Sequence, residues 1–335
     1  MTSRVTLTAM LAAVMVGGVL LIPAASARLV ADATPADAGL AGMPANTADA
    51  ADTVAQVAES PQPPVGATLH AAPVSVAVDG FLSWALLDRT TGEIGGSANL
   101  LETNSTESMI KIWIVADYLR ELGDQELSTD LQQEATLAIR DSDDDATNRL
   151  YYAAGGDVVL DRMIKMCGLE QTHPVVPPGE RYIWWSYTQM SARDAVLLGE
   201  CVVNGTAAGP RWTDWVLAEM TQVRGTTAGS DQRTRSGGGR WGIVDGLPLS
   251  MLDRTDIGIK NGWTMLWSDM TWRVNCLAVS DDWVLAVMTR YPGTYDLDYG
   301  AALCRDVASQ LVTAHVGASI KLPADGPPAV PAPES

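Results

Sequence analysis

The sequence predicts an α+β domain: an antiparallel sheet formed from both chain ends, flanked by helices, with an all-helical lobe inserted between its halves. Three observations carry this. Apolar runs with strand character cluster near the two ends of residues 76–316, and the stretch between them reads at helical spacing. Of 335 residues, 47% are hydrophobic and 19% charged, enough to bury a substantial core.

In chain order, the first 27 residues read as an export signal. Arg4 supplies the positive start, Val5 to Ile22 is apolar, and Pro23 leads into the cleavage-like Ala25-Ser26-Ala27. An uncleaved membrane anchor is the alternative, because the apolar run is about long enough to span a bilayer. No cysteine follows the run, so a lipid-modified N-terminus is not expected. Residues 28–75, rich in Ala, Pro, Asp and Thr, hold too little apolar surface to offset ordering entropy and read as a disordered linker. The Pro- and Ala-rich residues 317–335 read as a disordered tail.

Leu82 to Asp88 is an apolar run closed by Arg89-Thr90-Thr91-Gly92, so Glu93 to Ser97 can return as its hairpin partner. From Ser108 to Arg120 the spacing turns helical, with Ile112, Val115, Tyr118 and Leu119 on one face and Ser105 or Thr106 placed to cap the start. Further helices are expected over 129–141, 145–154, 157–167, 191–204 and 209–222. Strand character returns over 255–264, 271–279 and 283–289, before an amphipathic helix from Leu297 to about His315. The sheet lobe then comprises 76–107 plus 226–316, the helical lobe 108–225, and a cleft lies between them.

Acidic residues outnumber basic ones by 18, which removes the electrostatic footprint of nucleic-acid binding. Four cysteines in an exported chain point to disulfides. The expected pairs are Cys167 with Cys201, joining the helices that flank the loop 168–187, and Cys276 with Cys304, joining a strand to the closing helix; cross-lobe pairing is the alternative. Neither the cysteines nor the scattered His70, His173 and His315 have metal-site spacing. The run Asp141, Asp143, Asp145 mimics the start of a calcium loop, but Ala146 and Tyr152 stand where glycine and glutamate are needed. No metal or other cofactor is expected.

Lysines are scarce, which draws attention to Ser108-Met109-Ile110-Lys111. A spacing of three on a first helical turn brings the amine over the serine hydroxyl, and a desolvated amine there can take the hydroxyl proton. Ser142-Asp143-Asp144 offers a second hydroxyl in an inter-helix loop, although the same tripeptide at 280–282 reads only as a turn. Lys260-Asn261-Gly262 can place a lysine on a strand facing the cleft, with backbone amides exposed beside it. Asn-Gly is equally a hairpin signal, but Trp267-Ser268-Asp269-Met270 supplies another turn and leaves 261–264 free to continue the strand.

In order and context these motifs resemble the S-x-x-K, S-D-N and K-T-G set of class A beta-lactamases and penicillin-binding proteins, over residues 76–316. The resemblance implies Ser108 as acylated nucleophile, Lys111 as general base, Ser142 as proton relay and Lys260 as a carboxylate-recognising or proton-network partner. The backbone amides of Ser108 and Trp263 would form the oxyanion hole, with Asp144, Asn261 and Gly262 in the substrate-binding set. Three departures stand out. Only 34 residues separate Ser108 from Ser142, so part of the helical lobe is trimmed. Asp144 replaces asparagine and would keep Lys111 protonated. The loop Leu169 to Tyr187 lacks the E-x-x-L-N pattern of the deacylating glutamate, leaving Glu180 as the only nearby substitute besides Glu170. Trp184, Trp185, Trp263 and Trp267 fall near the cleft and read as core or rim packing, with substrate stacking as the alternative.

The implied function is an exported serine hydrolase acting through an acyl-enzyme on a beta-lactam or D-alanyl peptide, as a monomer, secreted or on the cell surface. A non-catalytic peptidoglycan-binding member of the same fold, and a membrane-tethered structural protein, are the competing readings.

Overall fold

The computed structural model describes residues 67–232, 237–253 and 256–314. The signal, most of the linker and the tail lie outside them. In chain order the strands and helices are β1 (Ala67–Leu69), β2 (Phe81–Asp88), β3 (Ile94–Gly96), β4 (Thr103–Ser105), α1 (Lys111–Glu121), α2 (Thr129–Arg140), α3 (Asp144–Ala153), α4 (Val158–Cys167), β5 (Gln189–Ser191), α5 (Ala192–Val203) and α6 (Thr213–Thr221). The single turns α7 (Gly229–Gln232) and α8 (Leu249–Leu252) follow, then β6 (Gly258–Leu266), β7 (Thr271–Val279), β8 (Trp283–Pro292), α9 (Leu297–Leu311) and β9 (Val312–Ala314).

The main sheet is antiparallel with strand order β3-β2-β8-β7-β6, so the two N-terminal strands meet the C-terminal ones through the β2–β8 ladder. β7 and β8 are buried on both faces over most of their length, which is why they read as nearly continuous apolar runs. α5 packs on one face against Val279 and Val284, and a Cβ at Gly199 would meet Val284 Cγ1 at 2.5 Å. α9 covers the other face and is stapled to β7 by Cys276–Cys304. Cys167–Cys201 ties α4 to α5. In the helical part, the buried carboxylate of Asp117 on α1 accepts hydrogen bonds from Arg120 and from Arg162 on α4, fixing the helix that carries Lys111.

Several local expectations are corrected. The ordered fold starts earlier than residue 76, because β1 pairs antiparallel with β9, Ala67 opposite Ala314. The final helix therefore ends at Leu311, where β-branched Val312 and Thr313 turn to strand. Neither Ser105 nor Thr106 caps the helix near 108. A 3-10 turn, Glu107–Ile110, precedes α1, with Ser105 Oγ donating to Glu107 Oε1 (2.6 Å) and Thr106 Oγ1 to Ser186 O (3.2 Å). The expected helix over 209–222 begins only at Thr213, whose hydroxyl donates back to Gly209 O.

Candidate active site

The entry to α1 is held in place from below. Asn104 Nδ2 donates to Asn275 Oδ1 (3.0 Å) and Thr289 O (2.9 Å), and Asn275 Nδ2 donates to Ser105 O (2.7 Å), clamping β4 to the central strands. β6 presses on the turn that follows. A Cβ at Gly262 would lie 2.7 Å from Ser108 N, 2.5 Å from Met109 N and 2.6 Å from Thr106 O, so only glycine allows this approach. In the 3-10 turn, residues three apart eclipse, which sets Ser108 above Lys111, the first residue of α1. Ser108 is half-buried and opens into a cavity of about 560 Å³.

Beneath the cavity lie two fully buried lysines. Ser142, in the loop before α3 and at φ +56°, receives both. Lys260 Nζ donates to its hydroxyl at 2.9 Å and Lys111 Nζ at 3.3 Å; Lys111 also donates to the Ser142 carbonyl. Lys260 lies in mid-strand, so Asn261-Gly262 is not a hairpin tip, and the β6–β7 turn falls over 267–270. Asp143 accepts from Ala146 N as the α3 cap, which leaves Asp144 to meet Lys111 at 2.6 Å. None of the Lys111 hydrogen bonds among the described residues goes to Ser108, because Asp144 and Ser142 take the ammonium.

The two amines differ electrostatically. Burial pushes the Lys111 pKa below its ordinary value, and the Asp144 carboxylate pushes back. Lys260 has no carboxylate among its hydrogen bonds, and burial, reinforced by the charge on Lys111, holds it well below the usual lysine range. The Trp185 ring closes this floor, 5.4 Å from Lys111 Nζ, while its Nε1 donates to Asn148 Oδ1 at 2.8 Å.

Sequence reasoning missed Glu107. It is buried, sits at φ +49°, lines the cavity beside Ser108, and is pushed up to about 7 by burial. Hydrogen bonds from Ser105 and Thr264, and the charge of Arg273, oppose that rise. The only signal available was an acid directly before the serine.

Other expected residues are placed differently from one another. Trp263 lines the cavity, its Nε1 donating to Gln232 Oε1 (2.7 Å) and its ring edge-on to Trp241. The Asn261 side chain is buried and donates to Gly239 O and Trp241 O, so it anchors the preceding segment and does not face a ligand. Trp267 is exposed in the β6–β7 turn and does not line the cavity; its place in the turn follows from the antiparallel register of β6 and β7. Glu180 is exposed and outside the cavity lining, and Glu170 is exposed near Arg193, so the loop 168–187 brings no carboxylate to Ser108. Asp141, the first acid of the calcium-like run, is bound by Arg224 at 2.5 and 2.6 Å.

No protein-family model matches the chain. A protein of Mycobacterium tuberculosis and Mycobacterium bovis named "Putative lipoprotein LppW" is 29% identical over 192 residues. That is 56% of this chain and 56% of the relative, so the chain spans about half the length of the curated relatives it matches. Among solved structures, PBP-A is 18% identical with a TM-score of 0.52, covering 72% of this chain and 97% of its own. A beta-lactamase from Xanthomonas campestris is 18% identical with a TM-score of 0.52, covering 69% and 91%. A PBP-A mutant captured as its acyl-enzyme complex with penicillin G is 18% identical with a TM-score of 0.51, covering 68% and 88%. The chain thus has the fold of class A beta-lactamases and PBP-A.

Proposed function

We propose that this chain is an exported serine hydrolase that forms an acyl-enzyme at Ser108 with a beta-lactam or a D-alanyl peptide and releases it slowly. One observation carries the reading: the Ser142 hydroxyl is met by both buried lysines beneath the cavity into which Ser108 opens. This arrangement supports a proton relay that ends on an amine.

Ser108 Oγ attacks the amide carbonyl as its proton passes through Ser142 to a neutral amine. Of the two, Lys260 is the more readily neutral, since Asp144 holds Lys111 towards its charged form. The carbonyl oxygen gathers negative charge against the backbone amides of Ser108 and Trp263, whose segments touch at Gly262. As the amide C–N bond breaks, Ser142 returns the proton to the leaving nitrogen. Water must then cleave the ester, and the loop 168–187, where the resemblance places the deacylating glutamate, supplies no carboxylate for that step.

The extracytoplasmic location rests on the apolar N-terminus and on the lipoprotein naming of the mycobacterial relative. No helix among the described residues is long and apolar enough to cross a membrane. A second reading, a peptidoglycan-binding protein without turnover, is favoured by the Lys111–Asp144 ion pair. Labelling with a fluorescent penicillin separates them. The acylation reading expects a label that survives denaturation and vanishes in Ser108→Ala; binding alone leaves no covalent label in either protein.

A further inference from the structure

Part of the cavity lining, the aromatic end, is built of the rings of Tyr151, Tyr152, Tyr182 and Trp184 and the carboxylate of Asp157. Tyr152 and Tyr182 are 73% and 78% exposed and Trp184 is 43% exposed, so three large rings face solvent around one opening. Tyr151, buried beneath, stands edge-on to Tyr152 with centroids 5.5 Å apart and donates its hydroxyl to Asp157 Oδ1 at 2.8 Å. A cluster of exposed rings at a cavity mouth marks a binding surface, and their negative faces attract cations within about 6 Å of the centroid.

Charge points the same way. Asp157 lines the cavity together with Asp144, which is paired with Lys111, and Glu107, whose carboxyl is raised to about 7, and no Lys, Arg or His does so among the described residues. The lysines below are fully buried, one paired with Asp144 and the other bonded to Ser142, so neither offers an open ammonium to an anion at the aromatic end. A net charge of −18 raises the local concentration of cations in an acidic cleft.

We infer that the aromatic end is a subsite for an alkylammonium group, formed by Tyr151, Tyr152, Tyr182, Trp184 and Asp157, so that the preferred ligand of Ser108 carries a cationic side chain. The inference builds on the reading of this cleft as the acylation site, but the subsite is testable without acylation. Choline is the probe, and 3,3-dimethylbutan-1-ol, its neutral isostere, is the control, each titrated into the intact protein while tryptophan fluorescence is followed. Saturable binding of choline is expected, at least about five-fold tighter than the isostere. Asp157→Asn should weaken choline about three- to five-fold and leave the isostere unchanged. If that variant does not fold, Tyr152→Leu, at an exposed ring, should weaken choline similarly. Absence of saturation, equal affinity for the two compounds, or choline binding unchanged in the folded variants overturns the subsite. A protein that binds choline yet takes no penicillin label would instead overturn the acylation reading and leave the subsite standing.

Discussion

Asp144 Oδ1 lies 2.6 Å from Lys111 Nζ, an ion pair between a fully buried ammonium and a carboxylate whose side chain is 74% exposed. A lysine tied to a carboxylate gives up its proton reluctantly, so this pair limits how good a base the S-x-x-K lysine can be.

Asp144→Asn should therefore speed acylation of Ser108, by about ten-fold at neutral pH, and move the acid limb of its pH profile to lower pH, because Lys111 and the acceptor Lys260 both lose the anion that favours their charged forms. Stopped-flow labelling with a fluorescent penicillin across pH reads both. An unchanged profile would remove Asp144 from the proton network.

The motif order led to Lys111, Ser142 and Lys260 because lysines are scarce and each motif falls on a distinct type of element. Strand 271–279 was legible from its strand character, rich in apolar and β-branched residues around Arg273 and Asn275, and it is observed over those residues. Glu107 was not legible: periodicity reports faces of elements, and a single acid before a serine carries no sign that β6 and Thr264 will enclose it. The β1–β9 pair was equally hidden, since each strand has three residues and their partners lie some 245 positions apart. Local composition reads as linker at β1 and as the end of the closing helix at β9, and a long-range contact overrides both.

Glu107 makes stability pH-dependent. Its carboxyl is raised from 4.5 to about 7 in the fold, so the folded state binds the proton more tightly than the unfolded chain. The resulting stabilisation is complete below pH 4.5 and is lost as pH rises through 7, a change of about 3 kcal/mol. Glu107→Gln keeps a neutral side chain and should lack that decline. Urea unfolding of both proteins from pH 4 to pH 8 checks this; parallel curves would show that Glu107 does not titrate in this range.

Gly262→Ala places a methyl 2.7 Å from Ser108 N. Either β6 or the 3-10 turn must move, and both carry groups needed at the reacting carbonyl. Acylation should fall by about a hundred-fold or more, with a stability loss of about 1–3 kcal/mol. Labelling rate and denaturant midpoint measure the two effects, and near-normal labelling would place the oxyanion amides elsewhere.

The disulfides close loops with sequence separations of 34 and 28 residues. Removing either pair by double Cys→Ser substitution should cost about 3.5 kcal/mol. Loss of Cys276–Cys304 should also loosen α9 from the sheet, seen as faster amide exchange over 297–311.

The central claim, an acyl-enzyme on Ser108 that outlives its formation, is tested most directly by intact mass over time after mixing with penicillin G. The account predicts one added penicillin mass, mapped to the peptide holding Ser108, absent in Ser108→Ala and persisting about a hundred- to ten-thousand-fold longer than deacylation assisted by a positioned base would allow. No adduct at any time, or rapid catalytic release of hydrolysed penicillin with the protein returning to its starting mass, would contradict it.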